Sequence, residues 1–184
     1  MSMSRVLDRD DTVLLVVDVQ DTFLKVIHEA ERVVANTVKL IEAAKVFDIP
    51  IVVTLQNAER MGDVTQAVAD ALPQIDRFNK MTFSCFGGEG FEEMFRDLWR
   101  NQVLICGIET HVCVNQTAHD CLASGYRVHI AKDAISSRTA ENWVAGIEKM
   151  RDSGCVITST EMAIFELLRD AASPEFKKIL PIVK

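Results

Sequence analysis

No stretch of this 184-residue chain approaches the roughly 20 consecutive apolar residues that a membrane-spanning helix requires. A membrane role is not expected. The amino-terminal segment, Met1 to Asp11, lacks the apolar centre of a secretory signal and carries Arg5, Asp8, Arg9, Asp10 and Asp11 instead, so export is not expected either. A clustered Lys/Arg surface is also missing. The formal net charge is -7 and the pI is about 5.1, which argues against a nucleic-acid partner, since binding phosphates needs such a cluster. Cysteine is sparse and oddly numbered: Cys85, Cys106, Cys113, Cys121 and Cys155 contain no C-x-x-C pair, which does not suit a disulfide framework or a zinc site. The four histidines, His28, His111, His119 and His129, are scattered and form no ligand cluster. A reducing, cytoplasmic location fits this usage, and there a thiol is kept for packing or for chemistry. No repeat, low-complexity tract or linker divides the chain, so residues 1–184 read as one domain with one substantial core.

What is present is an alternation of short apolar runs and helical patterns. Thr12 to Val17 is an unbroken β-branched and aliphatic run that stops at Asp18, as in a strand covered on both faces. Glu29 to Phe47 carries apolar residues at helical spacing, and Ile49 to Thr54 returns to strand composition. A helix over Val64 to Leu72 is stopped by Pro73, Gly87 to Gly90 forms a loop, and Phe91 to Arg100 is helical. Val103 to Gly107 is the third strand, and a helix from Cys113 to Ser124 ends at Gly125. Val128 to Ala131, a helix over Ala140 to Ser153 closed by Gly154, Cys155 to Thr158 and a helix over Glu161 to Arg169 complete the series. This order predicts a three-layer α/β/α sandwich around a mainly parallel, Rossmann-like sheet of about five or six strands, with the functional site beyond the strands' carboxyl ends.

Three polar residues fall in that region: Asp18 ends the first strand, Cys113 follows the third on the first turn of a helix, and Lys80 lies in the irregular segment between. A thiol at a helix amino terminus near an ammonium is expected to have a lowered pKa, and a carboxylate beside it can take its proton. The tight turn from Gly107 to Cys113 offers backbone N–H groups, those of Glu109 and Cys113, to a developing oxyanion.

These residues carry a family resemblance. Asp18-Val19-Gln20-Asp21-Thr22-Phe23 resembles the D-x-Q-x-x-F signature of isochorismatase-like hydrolases, Lys80 to Phe86 is similar to their lysine segment, and Gly107 to Val114 with Thr117 to Asp120 is similar to their nucleophile segment. The likeness runs from Thr12 to about Arg169 and is greatest to the YcaC-like and isochorismatase-domain-containing hydrolases, whose substrates are undefined. It implies a catalytic triad of Asp18, Lys80 and Cys113, a covalent thioester-type intermediate on Cys113, and a non-proline cis peptide between Ile108 and Glu109. It also implies a pocket or supporting shell that includes Gln20, Phe23, Asn57, Ile108 and Thr110, with Gln20 and Thr110 fixing the strand end and the turn by hydrogen bonds. The resulting expectation is an amidase-type hydrolase of a small-molecule amide, ester or ureide, needing no cofactor and forming a homo-oligomer.

Departures from the family pattern narrow this reading. The stretch Thr54 to Asp63 has no histidine where the nicotinamidase branch holds a metal, so no bound metal is expected and a nicotinamidase-type amidase would have to work without that site. True isochorismatases of the superfamily lack the cysteine, so Cys113 argues for acyl transfer over vinyl-ether hydrolysis. The competing reading is a catalytically vestigial oligomeric scaffold, and a third is a redox-responsive thiol protein with a resolving cysteine near Cys113.

Overall fold

All six residues of the first strand, β1 (Thr12–Val17), are buried, and so are all seven of β4 (Gln102–Ile108), because helices cover both faces of the sheet they build. The computed structural model describes residues 5–72 and 74–184. Among these, the sheet has six strands in the order β3-β2-β1-β4-β5-β6, every neighbouring pair parallel. The remaining strands are β2 (Ile51–Gln56), β3 (Arg77–Lys80), β5 (Arg127–Ser136) and β6 (Val156–Thr158). The α/β sandwich read from the sequence is therefore the architecture observed.

Nine α-helical segments occur among the described residues: α1 (Asp21–Leu24), α2 (Ala30–Val46), α3 (Ala58–Met61), α4 (Gln66–Ala71), α5 (Phe91–Arg96), α6 (Asn115–Ala123), α7 (Ala140–Asp152), α8 (Thr160–Leu168) and α9 (Phe176–Val183). One core lies on the side of α2, α8 and α9, with Leu14, Val16, Ile41, Leu104 and Ile164 at its centre. The other lies under α5, α6 and α7, where Phe91 and Phe95 stack at 5.3 Å between ring centroids. Gly125 and Gly154 end α6 and α7 with φ of +88° and +108°, a backbone region that glycine enters without steric cost.

Four local features differ from the sequence reading. Lys80 is the last residue of an ordered edge strand, β3, and not part of an irregular segment; Arg-Phe-Asn-Lys has no apolar alternation, since only Lys80 of the four is fully buried. Strand β5 continues past Ala131 to Ser136 through an irregularity in register opposite Ile105 to Gly107, so Lys132 and Asp133 lie within it. The helix expected from Cys113 begins as a single π turn over Thr110–Val114 that runs into α6. Helix α9 follows the last expected element and buries Ile179 despite Pro181. The expected stop at Pro73 lies outside the described residues.

The strand order reverses direction at β1 and β4, and a crevice opens between the carboxyl ends of strands whose connections leave to opposite sides. Gly107 makes that junction close. Its φ is +114°, and a Cβ there would lie 2.0 Å from the Val17 carbonyl oxygen, so no other residue lets β4 run this near the end of β1.

Candidate active site

Asp18 leaves β1 in the left-handed region, φ +52°, a conformation that Asp tolerates better than most residues, and its amide donates to the Thr54 carbonyl at 3.2 Å. This turns the carboxylate inward, where it is 1% exposed. The Thr54 hydroxyl donates to Oδ1 at 2.7 Å and the Lys80 ammonium to Oδ2 at 2.6 Å. Lys80, 2% exposed, also donates to Gln56 Oε1 at 2.9 Å and to the Thr82 carbonyl at 3.3 Å, so its three protons all have acceptors. A buried charge of each sign is thus neutralised by the other and saturated with hydrogen bonds, the condition under which such a pair persists.

Cys113 sits in the π turn that follows β4, buried, and lines the same cavity as Asp18. Asp18, Lys80 and Cys113 are thereby brought together from three separate strand ends. The thiol is not depressed as the sequence suggested. Burial, and after it the charge of Asp18, push it up to about 12 against the opposing pull of Lys80. The site is dry and carries a carboxylate charge, and these two effects exceed what the ammonium and the turn supply.

The turn is held from several directions. The Ile108–Glu109 peptide is cis. The Glu109 carbonyl accepts from the amides of Val112 at 3.0 Å and Val114 at 3.2 Å. Thr110 is buried, but its hydroxyl has no hydrogen-bond partner among the described residues, contrary to the hydrogen-bonding role expected for it. It acts by packing: a Cβ on Gly146 of α7 would come within 2.9 Å of Thr110 Cγ2 and 3.1 Å of its backbone, so that glycine lets α7 press against the turn. Gln20, also buried, takes the amide of Gln56 at 2.8 Å on Oε1 and donates to the Gly62 carbonyl at 2.7 Å, joining β1, β2 and the loop after α3.

A cavity of about 250 Å³ opens over Cys113 and Asp18. Phe23, Phe83, Ile108 and Val112 give it apolar walls, and Gln56, Glu109 and Arg138 its remaining polar surface. Of the residues expected in the pocket or its supporting shell, Phe23 and Ile108 line the cavity, Gln20 supports the strand ends through its bonds to Gln56 and Gly62, and Asn57 and Thr110 do not line it. Asn57 instead ends β2 with φ +48° and donates its amide to the Lys80 carbonyl at 2.9 Å, because the chain turns there into α3. Gln56, Phe83, Val112 and the Glu109 side chain were not assigned from sequence. Phe83 lies inside the lysine segment and Val112 adjoins Cys113, so proximity to those motifs was the available signal.

Glu109 and Arg138 form a three-point pair. The Arg138 amide and Nε donate to Oε2 at 3.1 and 3.0 Å, and Nη2 donates to Oε1 at 2.7 Å. Burial alone would raise the Glu109 carboxyl, but these contacts with Arg138 hold it below its ordinary value.

The other singled-out side chains are occupied elsewhere. His111 Nδ1 contacts Ser137 Oγ at 2.9 Å, and His119 bridges the Asn115 carbonyl and Ser153 Oγ. Asp120 accepts from Ser84, tying α6 to the segment after Lys80. Cys85, fully buried, contacts Thr54 Oγ1 at 3.9 Å, and burial pushes its thiol up to about 11. No group of three or more His, Cys, Asp or Glu suited to a metal ion occurs among the described residues.

Known proteins share the sequence family and the fold. The isochorismatase domain model matches residues 12–162. The secreted isochorismatase effector Isc1 of Phytophthora sojae is 41% identical over 177 residues, covering 94% of this chain and 84% of its own. The MAR1 ribonuclease structure from Caenorhabditis elegans superposes with a TM-score of 0.91 at 28% identity, covering 97% of this chain and 92% of that one. YcaC of Escherichia coli, described as an octameric hydrolase of unknown specificity, shares the fold with a TM-score of 0.87 at 22% identity, over 93% of this chain and 86% of its own. With a family match across most of its length, and with the motif residues that follow β1 and β4 meeting at one cavity, the chain belongs to the isochorismatase family of hydrolases.

Proposed function

We propose that the protein hydrolyses a small amide, or a related ester or ureide, through a covalent thioester on Cys113. The observation that carries this reading is the Asp18 carboxylate, fixed on one oxygen by Thr54 and on the other by Lys80, sharing the floor of a small cavity with a buried cysteine thiol whose pKa its charge raises. As the Cys113 sulfur bonds to the carbonyl carbon, its proton passes to Asp18, so a thiol that rests protonated needs no preformed thiolate. The carbonyl oxygen becomes an oxyanion held by the Glu109 and Cys113 amides. Collapse of this adduct breaks the bond to the leaving group, which takes the proton back from Asp18. A water molecule, deprotonated by the same carboxylate, then attacks the thioester and returns Cys113 as a thiol with release of a carboxylic acid. Lys80 holds Asp18 in place and balances its charge throughout.

The same reading makes residues 1–184 one catalytic domain, self-associating as YcaC is described to do, and places it in a reducing cytoplasm, where five unpaired, buried thiols persist. The secreted description of Isc1 applies to that protein; here, no helix among the described residues is long and apolar enough to cross a membrane. The name ribonuclease attached to the nematode structure suggests RNA as a substrate, but a net charge of -7 and a cavity of about 250 Å³ favour a small molecule. A screen of small amides, ureides and esters for ammonia or acid release, with Cys113→Ala as control and intact mass to detect an acyl adduct, tests the proposal. Turnover that persists in Cys113→Ala removes the nucleophile.

A further inference from the structure

The sheet ends at β6, whose outer edge is paired with no strand among the described residues. Such an edge presents backbone N–H and C=O groups that can take one more strand. Here it also floors a groove. A hollow of about 360 Å³ runs over Val156, Ile157 and Thr158, with Arg151 of α7 on one side of the sheet and Met162 of α8 on the other. It adjoins a second hollow of about 270 Å³, with which it shares Arg5 and Val156. Neither is lined by an Asp or Glu, whereas together they gather Arg5, Arg127, Lys132 and Arg151, in a chain whose net charge is -7. Arg127 is paired with Asp11, but the side-chain cations of Arg5, Lys132 and Arg151 have no ion-pair or hydrogen-bond partner among the described residues. No run of sequence announces this cluster, because these three come from the amino-terminal segment, β5 and α7.

From this arrangement we propose that β6 is a docking edge for an acidic, extended segment of a partner protein, which adds to the sheet as a further strand. Side chains of an added strand point alternately to the two faces of the sheet. One row meets Arg151 on the side of α7, and the other meets Met162, 54% exposed, with Phe165 one turn further along α8. The segment that fits therefore alternates carboxylates with apolar residues. Charge selects it over a second copy of this chain. Two copies pairing through β6 bring the same unpaired cations face to face, a repulsion that an acidic partner turns into attraction. A polynucleotide offers phosphates to the cations but no donors in register with the carbonyls of the edge. The groove lies two strands away from β4 and shares no residue with the cavity over Cys113, so this docking does not depend on the hydrolase reading.

Fluorescence anisotropy of the full chain with a labelled peptide of three Glu-Val repeats tests the assignment, with a Lys-Val peptide of equal length as control. The acidic peptide should bind saturably and at least tenfold more tightly than the basic one. The charge reversals Lys132→Glu and Arg151→Glu, combined at two exposed positions, should weaken it at least tenfold and leave the unfolding midpoint in place. Methylating backbone nitrogens separates strand addition from simple charge attraction, because the Glu and Val amides of an extended chain point to opposite edges. Methylation of one set should abolish binding, and methylation of the other should be tolerated. Hydrogen exchange at residues 156–158 should slow with the unmodified peptide. The assignment is overturned by absence of saturable binding, by equal binding of acidic and basic peptides, by binding that survives the charge reversals, or by equal tolerance of both methylation patterns. Tighter binding of a thymidine oligonucleotide than of the acidic peptide, or an oligomer that Arg151→Glu dissociates while neither peptide binds, overturns it as well.

Discussion

Lys80 Nζ lies 2.6 Å from Asp18 Oδ2, and neither side chain reaches solvent. The pair bridges β1 and β3, two strands apart in the sheet, across the end of β2. Removing one member leaves the other charged and desolvated. Lys80→Met is therefore expected to lower the unfolding free energy by about 3–5 kcal/mol, and combining it with Asp18→Asn should recover much of that loss. Urea denaturation of the two single variants and the double variant measures both effects.

The reactivity of Cys113 should separate ionisation from catalysis. With the thiol pushed up to about 12 by burial and then by Asp18, iodoacetamide should alkylate it at pH 8 at least tenfold more slowly than a free cysteine. Asp18→Asn removes a raising influence while Lys80 continues to lower the value, so alkylation should accelerate even as turnover is lost. Mass-resolved labelling of the two proteins is the check. Slower labelling of Asp18→Asn would contradict the assigned direction.

His129 should make stability depend on pH. It is fully buried, neither ring nitrogen has a partner among the described residues, and burial, followed by the charge of Arg127, lowers its pKa to about 4 from 6.5. Between those values the unfolded chain binds the proton and the folded chain does not. Stability is therefore retained above pH 6.5 and falls as pH drops toward 4, by a few kcal/mol at most. In His129→Leu that part of the pH dependence should vanish, as seen in denaturant midpoints at pH 7 and pH 5.

Gly107→Ala should be among the most damaging single changes. The added carbon meets the Val17 backbone at 2.0 Å and the φ of +114° is closed to alanine, so a loss of about 4 kcal/mol or failure to fold is expected. Gly125→Ala, with open space around its Cβ position, should cost about 1 kcal/mol from backbone strain alone. Thermal unfolding of the two variants gives the comparison.

How much was legible in the sequence differs by element. The strands buried on both faces, Thr12–Val17 and Gln102–Ile108, declared themselves as unbroken apolar runs, and the sandwich followed from their alternation with helices. Strand β3 did not, because only Lys80 in it is fully buried and its partners lie on one side only. Asp18, Lys80 and Cys113 were readable as motifs, and their meeting follows from the strand order. Arg138, at a strand's carboxyl end, could be read either as bordering the pocket or as initiating the next helix, and it lines the cavity. It follows a strand that outruns its apolar portion by five residues, through a register irregularity that no local pattern announces. Thr110 was misread as a hydrogen-bonding residue because a polar side chain under a glycine of α7 looks, in one dimension, like any other buried threonine.

The reversal of strand order at β1 and β4 divides the labour of this molecule. Asp18 and Cys113 follow strands that are paired on both sides, while the cavity walls include Phe23 in α1 and Phe83 in the connection between β3 and α5, segments that no strand pairing constrains. Such segments accept changes of length and side chain while the sheet holds the acid and the thiol in register. A scaffold arranged this way is free to acquire new specificities by exchanging its rim, with the chemistry at its floor inherited unaltered.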